Sequence, residues 1–343
     1  MKQLLNTLYV TTQGAYLARD GEAVAVRVEK ETRIRVPIHT LSSIVCFGQV
    51  SCSPFAMDLC AENGVGLAFL TEHGRFLARV VGPVSGNVLL RREQYRWADR
   101  PERSAAVARA VTLAKIANCR TVVLRAVRDQ SEGDGTEELE QAARRLGRLL
   151  ETVSAAKELD EIRGHEGDAA RVYFGVFGRL IGVPEEEFFF RGRNRRPPLD
   201  NMNALLSFVY TLLTHDVTAA LEGVGLDPAV GYLHRDRPGR PSLSLDLVEE
   251  LRPVIADRLA LSMVNRRQVQ ASGFRRTESG GVVMDDGTRK EVLVAYQKRK
   301  QEEILHPFLQ ERVAFGLVPH VQAMLMARFI RGDLDGYPSF IWK

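Results

Sequence analysis

A chain of 343 residues with 45% hydrophobic side chains exceeds one ordinary domain and has apolar surface enough for two cores. Its formal net charge of +4 is too mild to demand a polyanionic partner, so only local clustering of charge can argue for nucleic acid. No apolar run approaches the roughly 20 residues that cross a bilayer. The spacing of Cys46, Cys52, Cys60 and Cys119 matches no zinc motif, and no secretory leader is evident; the expectation is free or buried thiols in a reducing cytoplasm, with no membrane partner.

The first 80 residues carry a period of two. Val24, Val26 and Val28 alternate with polar or small neighbours, and Ile34, Val36 and Ile38 repeat the pattern, which predicts strands. One helix interrupts them, with Ser53 as N-cap, Pro54 at its first position and Asn63-Gly64 as its stop. Residues 66–70 and 75–81 read as a hairpin turning at His73-Gly74. Pro83, Gly86 and Pro101 punctuate the next stretch, and 84–100 reads as a linker. Beyond it the period becomes 3.6, with amphipathic segments at 102–129, 137–159, 166–181, 201–221 and 245–271, broken by SEGDG, PEEE and GVGLDP. Pro253 predicts a kink in the last of these. Residues 280–290 carry Gly-Gly and Asp-Gly signals for a short hairpin or loop. The fold class expected is α+β in several domains: a small β-sandwich-like domain over 1–83, a linker over 84–100 and a larger all-α domain over 101–343.

The densest chemistry lies in GYLHRDRPGRPSLSLDLVEELRP, residues 231–253. His234 sits in an arginine-studded loop before a helix that Ser244 is placed to cap. Asp246 would then fall in the first turn, where the helix dipole favours a carboxylate. Asp246 and Glu249, three residues apart, share one helix face and can converge on one cation, and Arg252, three residues further on, extends that face. An imidazole with carboxylate oxygens suits Mn2+ or Mg2+ better than zinc. Glu166, in RGHEGD, reads on its own as a helix-start residue meeting the dipole. No phosphate-cradling glycine loop is present, so ATP is not implied.

Basic residues cluster in the same half. Arg191, Arg193, Arg195 and Arg196 lie in a proline-stiffened loop, Arg235, Arg237 and Arg240 come just after His234, and further pairs stand at 266–267, 275–276 and 289–290. Arginines in such loops contact phosphates without reading bases. Phe188, Phe189 and Phe190 read as core beneath a loop. Asn203, Ser207 and Tyr210 share one helix face by their spacing of four and three. The other six histidines have no acidic partner at a telling spacing and read as structural.

Three blocks, GHEGDAARVYF at 164–174, DNMNALLSFVY at 200–210 and HRDRPGRPSLSLDLVEELRP at 234–253, closely resemble the CRISPR-associated integrase of spacer acquisition. The ending YPSFIWK, 337–343, resembles the version found in type I-C systems. The resemblance implies that Glu166, His234 and Glu249 hold the metal, and that the helical domain is catalytic. It implies a further acidic role for Asp246: binding metal through water, orienting His234, or acting on the nucleophile's proton. It implies DNA as substrate, both short duplex fragments and the CRISPR repeat array, with strand joining by 3′-hydroxyl attack and hydrolysis as its water-using variant. It also implies a homodimer built through the β-domain and bridged by a small partner protein of the adaptation complex. On this resemblance Arg193, Arg195, Arg196, Asn203, Arg235, Arg237, Arg240 and Arg252 are expected to border the DNA. A structure-selective metal nuclease and a non-enzymatic DNA-binding assembly protein are the competing readings.

Overall fold

The computed structural model describes residues 6–82, 88–129 and 136–342. Pro83 and Gly86 at the expected linker, the SEGDG break at 131–135 and Lys343 of the terminal motif lie outside the described residues.

The N-terminal strands form two sheets packed face to face. Strands β1 (Thr7–Val10), β2 (Tyr16–Asp20), β3 (Ala23–Val28), β4 (Glu31–Pro37), β5 (Ser43–Phe47), β6 (Ser51–Cys52), β7 (Gly66–Leu70) and β8 (Phe76–Val80) are interrupted once by α1 (Pro54–Glu62). One sheet runs β1-β5-β7-β8 and the other β4-β3-β2-β6. The cap expected at Ser53 is made: its side chain accepts a bond from the Ala56 amide at 3.1 Å.

The period of two in β5 feeds two cores at once. Ile44 and Cys46 point into the sandwich with Leu17, Val24 and Leu59, whereas Val45 and Phe47 point the other way and join the core of the helical domain. One sheet is thus buried on both faces, which ties the two domains together. Gly74, at φ +84°, allows the β7–β8 turn to lie against that domain, since a Cβ there would stand 2.3 Å from the ring of Phe208. A buried ion pair between Lys300 and Asp216 at 2.9 Å adds to the junction, and the same ammonium reaches Thr7 Oγ1 at 3.2 Å.

Helices α2 (Val88–Ala98), α3 (Pro101–Asp129), α4 (Thr136–Ala155), α5 (Leu159–Val176), α6 (Asn201–Gly223), α7 (Ser242–Arg252) and α8 (Arg258–Asn265) come next. Two small hairpins surround α9: β9 (Phe274–Arg276) pairs with β10 (Val282–Met284) before α9 (Asp286–Gln301), and β11 (Glu303–Leu305) pairs with β12 (Arg312–Ala314) before α10 (Val318–Arg331). Much of the expected linker is therefore helix. Leu90, Gln94 and Trp97 of α2 are buried at a spacing of four and three, and Trp97 meets Phe329 of α10 edge-on at 4.9 Å. Residues 280–290 divide into a hairpin strand and the start of α9, capped by Asp285 through the Thr288 amide at 2.7 Å.

Pro253 does not break its helix; the chain passes through a π-helical turn, Pro253–Asp257, and continues as α8. Phe188 and Phe190 pack as expected, against Phe274 and Phe177. Contrary to the reading of apolar runs, α6 is long and apolar enough to cross a bilayer, but 61% of its most apolar stretch is buried inside the molecule. Its buried residues belong to the larger core.

Candidate active site

The site forms where α3, α5, α7 and the loop before α7 converge. That loop passes so close to the start of α7 that a Cβ on Gly231 would stand 2.6 Å from the Ser242 Cβ. Asp246 holds it there. Fully buried, Asp246 accepts the amides of Tyr232 at 2.7 Å, Leu233 at 3.1 Å and His234 at 2.9 Å, and contacts His234 Nδ1 at 2.7 Å. Arg163 of α5 closes the loop from the other side, donating to the Leu233 carbonyl at 2.7 Å. The imidazole is thus fixed by both its backbone and its ring.

A carboxylate acceptor at Nδ1 places the imidazole proton on that nitrogen and leaves the Nε2 lone pair free. Nε2 lies 3.9 Å from Glu249 Oε1. Of the three roles open for Asp246, this geometry carries the orienting one. The capping expectation is corrected: α7 starts two residues before Ser244, whose hydroxyl pairs with Thr218 at 2.8 Å, and its first turn holds no acidic residue. Glu166 likewise lies inside α5 rather than at its start.

Glu249 is 6% exposed. Burial alone would raise its carboxyl, but the charges of Arg252 and Lys115 outweigh burial and hold it well below the usual carboxylate range. Its Oε2 lies 2.6 Å from Arg252 Nη2 and 2.7 Å from Lys115 Nζ, yet makes no hydrogen bond of ordinary geometry to either. Lys115 also pairs with Glu166. The two carboxylates from distant parts of the chain therefore grip one cation, and that cation is a lysine ammonium. Among the described residues, no three imidazole, thiol or carboxylate groups stand close enough to share a metal as the side chains lie. The donor set nevertheless fits a hard divalent ion: one free imidazole nitrogen, two carboxylates, and a buried carboxylate oxygen without a directed bond.

Beyond Glu166 and His234 opens a cavity of about 500 Å3, lined also by Arg163, Arg235, Arg237 and Arg240. Arg195, Arg196, Arg235 and Arg237 are exposed, and Arg240 is half-buried. The Arg240 guanidinium is destabilised by burial first and then by the charges of Arg237, Arg195 and Arg196, so the two arginine loops lie within electrostatic reach of each other. The remaining expected DNA contacts are turned inward. Asn203 is fully buried, with its side chain bonded to Asp200, Gly192 and Arg193, and cannot meet DNA. Arg193 bonds Asn203 at 2.7 Å and Ser207 at 3.0 Å and lies over the Tyr210 ring. Arg252 is committed to Glu249 and to the same ring. Tyr210 and Tyr173 both donate to the buried Asp257 in the π-turn.

Lys115, Arg163 and Asp257 escape the sequence reading. Lys115 alone leaves a signal: in TLAKIANC it occupies a buried face of α3 with Val111 and Cys119, four residues to either side, where an unpaired charge is costly.

The model of the family described as CRISPR associated protein Cas1 matches residues 8–298. The CRISPR-associated endonuclease Cas1 1 of Chlorobaculum tepidum is 54% identical over 343 residues, covering 100% of both chains. Among solved structures, a chain of a Cas6-RT-Cas1–Cas2 complex matches 100% of this chain and 36% of its own, with a TM-score of 0.83 at 21% identity. A casposase bound to integration product matches 98% of this chain and 94% of its own, with a TM-score of 0.83 at 20% identity. These two likenesses are of fold. The family match spans most of the length and includes the blocks that carry Glu166, His234 and Glu249, and on that ground the chain belongs to the Cas1 family of CRISPR-associated proteins.

Proposed function

We propose that the protein is a divalent-metal-dependent DNA endonuclease and integrase of CRISPR adaptation, joining the 3′-hydroxyl of a short DNA fragment to the repeat array. The observation that carries this reading is that Glu166 and Glu249 share the Lys115 ammonium, with His234 Nε2 3.9 Å from Glu249, beside a cavity lined by Glu166, His234 and arginines. Glu166, His234 and Glu249 would hold Mn2+ or Mg2+, which when bound stabilises charge on a phosphate oxygen. Asp246 keeps the His234 Nε2 lone pair presented and locks the loop to α7. Arg195, Arg196, Arg235, Arg237 and Arg240 bind the phosphate backbone, which makes binding steeply salt-dependent and weakly sequence-dependent. The relative from Chlorobaculum tepidum bears the name endonuclease, and the casposase fold neighbour is bound to an integration product; both favour phosphodiester chemistry at this site.

The β-domain supplies the homodimer face. The edge strand β8 exposes Phe76 and Leu77, apolar side chains of the kind an interface covers. A small partner protein joins the assembly, as in the Cas1–Cas2 complex whose chain shares this fold. The type I-C subtype and a cytoplasmic setting complete the proposal.

One end-labelled branched DNA separates the readings. With Mn2+ the protein yields both joined and cut strands, and His234→Ala and Glu166→Gln yield neither while still binding DNA. Cut strands alone would favour the structure-selective nuclease. Equal products from the variants, or in chelator, would reject the site and leave a DNA-binding assembly protein.

A further inference from the structure

Lysine is almost never fully buried unless it is paired. Lys115 is 1% exposed, and its ammonium lies between Glu166 of α5 and Glu249 of α7. Its stem rises from α3 at a position flanked by the buried Ala114 and Ile116 and, one turn away, by Val111 and Cys119, so the charge is set in apolar surroundings and is met by the two carboxylates. We propose that Lys115 is a resident cation: it neutralises the two carboxylates in the metal-free protein and competes with a divalent ion for them, thereby setting how tightly the chain binds metal.

The effect is electrostatic and rests on the metal-site reading of the proposed function. Two carboxylates brought from separate helices repel unless a cation lies between them. Arg252 reaches Glu249 and not the near side of Glu166, so Lys115 is what joins the pair. A second cation drawn to the same oxygens meets the ammonium at close range, where a like charge weakens its binding. Removing the Lys115 charge therefore has opposite effects on two quantities. The metal-free fold loses its internal neutralisation, and the metal site loses its competitor. A lysine serving only as a strut would weaken both.

Mn2+ binding, followed by the loss of the free-ion electron paramagnetic resonance signal, and thermal melting in chelator test this on wild type, Lys115→Met, His234→Ala and the double variant Lys115→Met with Glu166→Gln. Lys115→Met is expected to bind Mn2+ about tenfold more tightly, to melt lower in chelator, and to gain more from added Mn2+ than wild type does. The double variant, with one carboxylate neutral, recovers the melting temperature lost in chelator. Recovery also supports the proposal if Lys115→Met alone does not fold, and failure of the double variant to recover overturns it. Mn2+ binding by Lys115→Met no tighter than wild type, with His234→Ala losing the ion, overturns the role of Lys115 alone. Mn2+ binding indifferent to His234→Ala overturns the site reading and this inference with it.

Discussion

Glu249 and Glu250 are neighbours on α7, both buried, and they behave oppositely. Glu249 faces the site, where Arg252 and Lys115 outweigh burial and keep it ionised. Glu250, 100° further round the helix, faces the segment C-terminal to α10. There it accepts only from neutral groups: the Tyr337 hydroxyl, Gln322 at 3.2 Å and the Phe340 amide at 2.8 Å. Burial outweighs those bonds and pushes Glu250 up to about 7. Depth is common to both, so the charge of the partners decides ionisation. The front of α7 is thus built to attract a cation, and its back is built to anchor chain. Asn118 extends the anchor, bonding the Phe340 carbonyl at 2.8 Å and the Trp342 amide at 2.8 Å, while Arg125 and Arg258 flank the Trp342 ring.

The contrast breaks most severely on its front side. Glu249→Gln removes the charge while keeping the shape, and strand cutting and joining, measured in single-turnover assays with Mn2+, should fall by at least about 100-fold. Asp246→Asn should cost a similar loss by a different route, because an amide cannot accept from His234 Nδ1 and three backbone amides at once. Its expected signature is reduced activity together with a stability loss of about 3 kcal/mol in urea melts.

On the back side the effect is a pH dependence. Glu250 binds its proton more tightly in the folded chain, where its value is about 7, than in the unfolded chain, where it is 4.5. Its contribution to stability is full below about pH 4.5, falls as the pH rises towards 7 and is gone above that, a span of about 3 kcal/mol. Glu250→Gln should flatten this component, so the difference in melting temperature between variant and wild type should change across that window and be constant above it. A difference that does not vary with pH would mean that Glu250 is ionised throughout.

The smallest effect concerns the arginines. Arg237→Ala should weaken DNA binding and reduce the slope of log affinity against log salt by about one. Asn203→Ala should leave that slope unchanged and lower stability instead, since its side chain never leaves the interior.

How legible each feature is in the sequence depends on the range of the interactions that make it. The strands over 7–80 and the Ser53 cap depend on neighbours in sequence, and alternation and capping chemistry reveal them. The pairing of Asp246 with Glu249 on one face comes from helix geometry alone. Glu166 needed the family resemblance, because Gly164 and Gly167 imitate a helix boundary in the middle of α5; both glycines have open space around them and merely cost helix propensity. Lys115 becomes a member of the site only when α3 packs between α5 and α7, a contact across 51 residues to Glu166 and over 130 to Glu249 that no local pattern encodes. The inward turn of Asn203 and Arg193 is of the same kind: polar spacing identifies a shared face, and tertiary packing decides whether that face meets water. The helix at 88–98 is legible in principle, as Leu90, Gln94 and Trp97 keep a helical spacing, but proline and glycine punctuation points to a linker there instead.

The catalytic assignment is tested most directly by the electron spin-echo spectrum of Mn2+ bound to the protein. A nitrogen modulation from one imidazole is expected in wild type and in Lys115→Met, and its loss is expected in His234→Gln. Bound Mn2+ without nitrogen coupling in wild type, or coupling that survives the His234 substitution, would refute the assignment.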